Sequence, residues 1–384
     1  MDRARSITAE ALRSLHANRS VVEQLLARYD EAYRDNEREK LFAQATGRRE
    51  RVLGATIHRV LIDYATGRLD QGLSTAAGVM AELETGDHPE IAAQARNVMG
   101  NIQLRRCQFD RAQIEYRSAL DIYERLGQQS SCGIVINNLG NIHNIRGEAK
   151  LALEKYQQAL AIFERNNDLF RTAHVLNSIS QIEESLGNID RARDCLDRSL
   201  AIRSRLDDRR GIAQCLLNLA NINDSMGDHR QALAHLGQVE ALIGAHGIID
   251  PSFRATFLGT RGIAHFHGGS EDLAARDFTE LIALAENNGF LEHQAEGLSW
   301  LGLVKVKLGR DESGLEDIAR ALDLAEQHDL SYARLTAHEH RAEACVALGR
   351  TEEARESLTV CCRLAAELGM NEAAFREKLE ALAT

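Results

Sequence analysis

Gly147, Gly187 and Gly227 stand 40 residues apart, and the same register continues through most of the chain. Backward it reaches Cys107 and Gly67; forward it reaches Gly269, 42 residues on, and then Gly309 and Gly349. Five residues after each of these positions stands a small residue: Gly72, Ala112, Ala152, Ala192, Ala232, Ala274, Gly314 and Ala354. Seven residues before them a second small column reads Gly100, Gly140, Ser180, Ala220, Gly262, Gly302 and Ala342, with Val60 the exception. A period of this length means one supersecondary unit copied in tandem, whose apolar face is buried only by stacking on its neighbours.

Each copy reads as two amphipathic helices joined by the glycine turn. In the second helix of the third copy, Ala152, Tyr156, Ala159 and Leu160 fall on one stripe. The small columns let paired helices approach closely. Pro89, after Asp87 and His88, and Pro251, after Asp250, read as first helical positions, with the aspartates as caps. With 2 prolines among 384 residues and aromatics at 5%, a helical chain is expected. The expected fold is all-α: a right-handed superhelical solenoid of eight helical hairpins over residues 49–369. Residues 1–48 read as a helical cap or degenerate repeat, with Ala32 lying 40 before Gly72, and 370–384 as a closing helix.

These columns, the glycine turns and the aromatics Tyr116, Tyr156 and Phe278 resemble tetratricopeptide repeats. The 40-residue period is similar to the extended variety in kinesin light chain and in bacterial peptide-responsive regulators. The resemblance implies that first helices line a concave groove and that groove asparagines grip extended peptides. The family's carboxylate clamp for chaperone C-termini needs Lys and Arg in rows that here read Gln94, Ile134, His174, Gln214 and Val98, Asn138, Ser178, Asn218, which disfavours that partner class.

Placed on that groove, the first helices carry an amide ladder. Asn97, Asn137 and Asn177 form one row; Asn101, Asn141, Gln181 and Asn221 the next; Asn138, Ser178 and Asn218 a third. Asn144, Glu184 and Asp224 share a fourth. Asparagine costs about 0.5 kcal/mol against alanine inside a helix, so propensity does not select such a ladder. A carboxamide offers one acceptor and two donors and can bond both C=O and N–H of an extended chain. The competing reading is that these amides bond neighbouring helix backbones or face water. Ladder columns turn apolar at Ile57, Leu61 and Tyr64 and at Ile263, Phe266, Leu303 and Val306, which either anchor ligand side chains or pack against a closing helix. The acids Glu184 and Asp224 would suit a basic ligand side chain, or simply reflect the overall charge. Trp300, the only tryptophan, is expected in the core.

Other chemistry is sparse. A net charge of −11 disfavours nucleic acid, and no run approaches the ~18 apolar residues of a membrane span. The 7 cysteines form no Cys-x-x-Cys pair, and arginines with Glu10 interrupt any leader-like apolar core; a cytoplasmic location follows as the expectation. His265 and His267, like His338 and His340, are two apart and point to different faces of a helix, unlike helical zinc pairs. No catalytic set, metal site or cofactor fingerprint is expected. The leading expectation is a non-enzymatic interaction protein or regulator binding an extended peptide or partner tail. The alternatives are a homo-oligomeric scaffold, such as a homodimer through residues 1–48, or a signal sensor for a small molecule or peptide acting through a partner protein.

Overall fold

The computed structural model describes residues 10–18, 28–83, 88–246, 251–368, 370 and 372–382. Among these residues every regular element is an α-helix. The chain divides into two compact units, Met1–Leu186 and Gly187–Thr384, the division falling in the turn of the fourth hairpin.

The first unit holds α1 (residues 10–18), α2 (Tyr29–Ala45), α3 (Arg49–Ala65), α4 (Leu69–Glu82), α5 (Pro89–Arg105), α6 (Phe109–Arg125), α7 (Gln129–Ile145), α8 (Ala149–Arg165) and α9 (Leu169–Ser185). The second holds α10 (Ile189–Arg205), α11 (Arg209–Ser225), α12 (His229–His246), α13 (Pro251–His267), α14 (Glu271–Asn288), α15 (Leu291–Lys307), α16 (Asp311–Gln327), α17 (Ser331–Ala347), α18 (Thr351–Glu367) and α19 (Ala373–Ala381). Within each unit successive helices pack on one another, α2 through α9 in the first and α10 through α19 in the second, and first helices also touch across hairpins: α3 on α5 and α5 on α7 in the first unit, α11 on α13, α13 on α15 and α15 on α17 in the second. Each unit is thus two layers, a wall of first helices backed by second helices. Pro89 stands at the start of α5 and Pro251 opens α13; Asp87 and Asp250, expected as caps, lie outside the described residues.

The small columns are where helices meet. A Cβ on Gly100 would lie 2.5 Å from the Tyr116 ring, one on Gly140 2.7 Å from the Tyr156 ring, and one on Gly262 2.7 Å from the Phe278 ring. Tyr116, Tyr156 and Phe278 are accordingly buried at the centre of their hairpins.

The turns reveal a shorter period than the sequence reading used. Left-handed backbone recurs every 20 residues, within hairpins at Gly67, Cys107, Gly147, Gly187 and Gly227, and between them at Gly47, Gly127, Asn167 and Asp207. After a two-residue shift it resumes at Gly269, Gly289, Gly309, Asp329 and Gly349. At Gly147, with φ of 73°, the N–H of Glu148 bonds the carbonyl of His143 and that of Gly147 the carbonyl of Asn144, closing the end of α7. The same closure recurs at turn after turn, so most described helices are 17 residues long, and most links within and between hairpins have three residues.

The N-terminal helices pack through charge. Of the residues α2 buries, Asp35, Asn36 and Glu39 are polar and Ala32 and Ala43 apolar. Arg13 of α1 and His58 of α3 both reach Glu39, at 3.4 and 2.9 Å, His16 bonds Asp35 at 3.0 Å, and Asn36 donates to the carbonyl of Ala55 at 2.9 Å. Buried charges paired in this way are costly to break singly.

Candidate functional site

The first unit places much of the ladder on neighbouring helices. Asn97 and Asn101 are on α5, Asn137, Asn138, Asn141 and Asn144 on α7, and Asn177, Gln181 and Glu184 on α9. The structure brings three of them into direct contact: Asn138 Nδ2 donates to Asn97 Oδ1 and to Asn101 Oδ1, both at 3.2 Å. Asn101 and a further amide, Asn141, are tied to the backing layer. The Tyr116 hydroxyl donates to Asn101 Oδ1 at 2.7 Å, and the Tyr156 hydroxyl to Asn141 Oδ1 at 2.8 Å. The hydroxyls lie at the tips of otherwise buried rings, and that burial pushes the Tyr156 phenol up to about 12.

These bonds change what the ladder offers. The Asn101 oxygen thus takes two bonds, from Tyr116 and Asn138, and the Asn141 oxygen one, from Tyr156, so both amides are oriented, and what they chiefly retain is donor capacity from their N–H groups, with one acceptor lone pair left on Asn141. Asn137 is buried and its Oδ1 has no protein partner, so it belongs more to the helix interface than to an open face. Asn144 is exposed beside the Tyr156 hydroxyl, Gln181 is exposed, and Glu184 is half-buried, which raises its carboxyl above the usual range.

The second unit carries the rest on α11. Asn218 Oδ1 accepts from Gln214 Nε2 at 3.1 Å, and Asn221 is exposed. Asp224 is not open to a basic ligand: His229 Nδ1 lies 2.7 Å from one of its oxygens and His267 Nδ1 2.7 Å from the other. Asn223, outside the expected rows, is buried and accepts from Arg193 Nη2 at 3.0 Å.

The apolar columns are packed rather than offered. Leu303 and Val306 are buried in a cluster with Leu298, Ile318 and Ala337, while Phe266 meets Trp300 edge-on at 5.5 Å. Trp300 stacks on Phe278 at 5.8 Å and lies 4.1 Å from the His340 ring. Ile57 is buried in the first unit against Leu53 and Val60. His265 turns toward Asp277 and His267 toward Asp224, the divergence that their spacing demands.

Two features lay outside the sequence reading. A cavity of about 480 Å³ in the first unit is lined by Arg13, Arg51, His58, His88, Glu90 and Gln94, and includes none of the ladder residues. Its α1 wall has no place in the 40-residue register. The tyrosine anchors were visible as residues but not as partners: each stands 15 positions after its asparagine.

No described helix is long and apolar enough to cross a membrane. Residues 91–165, 131–203 and 171–243 match the tetratricopeptide repeat family in three overlapping windows. No curated protein matches the chain in sequence. Among solved structures, a Rap protein complexed with the competence and sporulation factor is 14% identical, with a TM-score of 0.69 over 94% of this chain and 99% of its own. The apo form of RapI is 13% identical, with a TM-score of 0.73 over 93% and 98%. The apo quorum sensor NprR from B. thuringiensis is 12% identical, with a TM-score of 0.58 over 86% and 99%. At such identities the likeness is one of fold, and it agrees with the hairpins, the small columns and the αL turns; residues 91–243 of the chain match tetratricopeptide repeats.

Proposed function

We propose that this chain is a non-enzymatic regulator that binds an extended peptide or the tail of a partner protein on its wall of first helices. The observation that carries the reading is the anchoring of Asn101 and Asn141 by Tyr116 and Tyr156. An amide held by its oxygen presents its N–H groups without having to be ordered when a ligand arrives, which lowers the entropic cost of binding. Neighbouring first helices lie roughly 8–10 Å apart. An extended chain advances about 3.3 Å per residue, so such donors would meet a backbone carbonyl about every third residue. The second unit separately carries amides without a tyrosine anchor, Asn218 and Asn221 on α11.

The fold neighbours support a signalling role: one holds the competence and sporulation factor and another is a quorum sensor. By that analogy the ligand is a signal, and the output passes through a second protein. A pull-down beside the Asn144→Ala, Gln181→Ala, Asn221→Ala triple variant tests the reading. These three side chains are exposed, so the fold should be unaffected. A partner captured by the wild type and lost by the variant supports the wall as the binding face; identical captures place the function elsewhere, beginning with the Arg13 and Arg51 cavity.

A further inference from the structure

We propose that Asp224, His229 and His267 form a binding site for one divalent transition-metal ion of the zinc class. The three side chains come from three helices of the second unit: Asp224 from the last turn of α11, His229 from the first position of α12, His267 from the end of α13. One donor atom from each lies within 4.8 Å of the other two, and each imidazole Nδ1 is 2.7 Å from a different oxygen of Asp224. Two imidazoles and a carboxylate are a donor set that zinc-class ions take. An ion with bonds of about 2.0–2.1 Å holds tetrahedral ligands about 3.3 Å apart, so the 2.7 Å contacts would open and the wider donor separations, all within 4.8 Å, would close around it. The fourth position is left for water or a further ligand.

Two features beyond the cluster favour a cation there. The C-terminal ends of α11 and α13 meet the N-terminal end of α12 at the site, so that two partial negative charges face one partial positive charge there. Glu343 of α17 adds its field at His267.

The cluster also breaks the chain's own pattern. The His229 column reads Leu69, Phe109, Ala149 and Ile189 in the preceding repeats, apolar or small at every copy. The His267 column reads Ala65, Arg105, Ile145, Ser185 and Ser225, none of them histidine. An ion bound here would tie hairpin α11–α12 to α13 and fix the angle at that joint. This is a metal-dependent stiffening of the repeat stack, separate from any peptide site.

Trp300 makes the test local, because its ring lies 5.9 Å from His267 and it is the only tryptophan. Metal-free full-length protein, buffered well above the ordinary imidazole value, is titrated with Ni²⁺ while Trp300 emission is followed, and Zn²⁺ is then added as competitor. Saturable quenching at one ion per chain, reversed by Zn²⁺, is expected for the wild type. His229→Gln and His267→Gln should each weaken it by more than about 100-fold, since losing even an outer-shell partner costs about 10–100-fold. Asp224→Asn, which keeps its shape and can still bond an imidazole, should also lose binding. Absence of saturable quenching up to about 1 mM Ni²⁺, or a His267→Gln curve superimposed on the wild type, overturns the assignment and leaves a hydrogen-bonded His–Asp–His clasp. Circular dichroism of each variant without metal confirms that it is folded, and the unchanged exposed thiol of Cys107 controls for metal taken up by cysteine.

Discussion

Asn141→Ala puts the anchored amide to the sharpest test, because propensity and hydrogen bonding pull in opposite directions. On propensity alone the substitution inside α7 should stabilise by about 0.5 kcal/mol. It also removes the acceptor of the Tyr156 hydroxyl, and Tyr156 is only 1% exposed. A buried hydroxyl without a partner costs about 1–3 kcal/mol, the low end applying where Asn144, beside it, accepts in place of Asn141. The expected net result is a loss of about 0.5–2.5 kcal/mol. Tyr156→Phe removes the same bond from the other side and should cost about 0.5–1.5 kcal/mol, because the half-exposed Asn141 oxygen can turn to water. In the Tyr156→Phe background nothing is stranded, so Asn141→Ala should change sign and stabilise by about 0.5 kcal/mol. The double-mutant cycle then gives a coupling of about 1–3 kcal/mol. Urea midpoints report it only if the array unfolds cooperatively, so hydrogen-exchange protection of α7 and α8 serves as the local measure. Asn141→Ala stabilising an otherwise wild-type chain, or a coupling below about 0.5 kcal/mol, would refute the anchor and the donor reading with it.

Cys107 holds φ of 58° at a turn where other repeats use glycine, and it is exposed. Left-handed backbone costs a side-chain-bearing residue about 1–2 kcal/mol and glycine's extra freedom returns about 0.5–1, so Cys107→Gly should stabilise by about 0.5–1 kcal/mol and raise the melting temperature; a lower one would contradict the turn geometry. Gly140→Ala drives a methyl to 2.7 Å from the Tyr156 ring and should cost about 1–3 kcal/mol in urea unfolding; a neutral result would mean the helices are not this close. Burial pushes His340 down to about 3 and His338 to about 4, whereas both take up protons near pH 6.5 once unfolded. Unfolding therefore binds protons, and the stability they contribute is complete above about pH 6.5 and declines from there toward pH 4. Melting temperatures from pH 7.5 to 5 should fall less steeply in His340→Gln than in the wild type.

The repeat was legible because its cause is local. A turn that needs left-handed backbone, a small residue where two helices touch, and a ring opposite it recur at fixed offsets, and each leaves one residue type in the sequence. The 20-residue half-period was equally present at Gly127, Asn167, Asp207, Gly289 and Asp329. It was hidden because asparagine and aspartate substitute for glycine at φ of about 50° without resembling it by eye. Residues 1–48 followed the register less well, since α2 buries Asp35, Asn36 and Glu39 where a repeat helix buries alanine and leucine. Polar packing carries no periodic apolar stripe for a reader to find.

The ladder was legible as a pattern but not as chemistry. Columns show which amides share a row, yet whether an amide is offered or spent depends on a residue from another helix. Asn101 and Asn141 are fixed by tyrosines that also fill the small-residue notch at Gly100 and Gly140. One tyrosine therefore does two things in each of these hairpins: its ring closes the two layers and its hydroxyl aims the amide on the wall. In the fourth and fifth copies the ring's place is taken by Leu196 and Leu236, which have no hydroxyl, and there Gln181 and Asn221 stand exposed in the same row. The amides are accordingly of two kinds: oriented ones on α5 and α7, and adjustable ones, Gln181 on α9 of the first unit and, separately, Asn221 on α11 of the second. A ligand on the first unit should be held in fixed register by the oriented amides and tolerate sequence variation where it meets Gln181. Binding should therefore lose more to Tyr116→Phe with Tyr156→Phe than the hydroxyls' lack of direct ligand contact would suggest, which an affinity measurement beside Gln181→Ala decides.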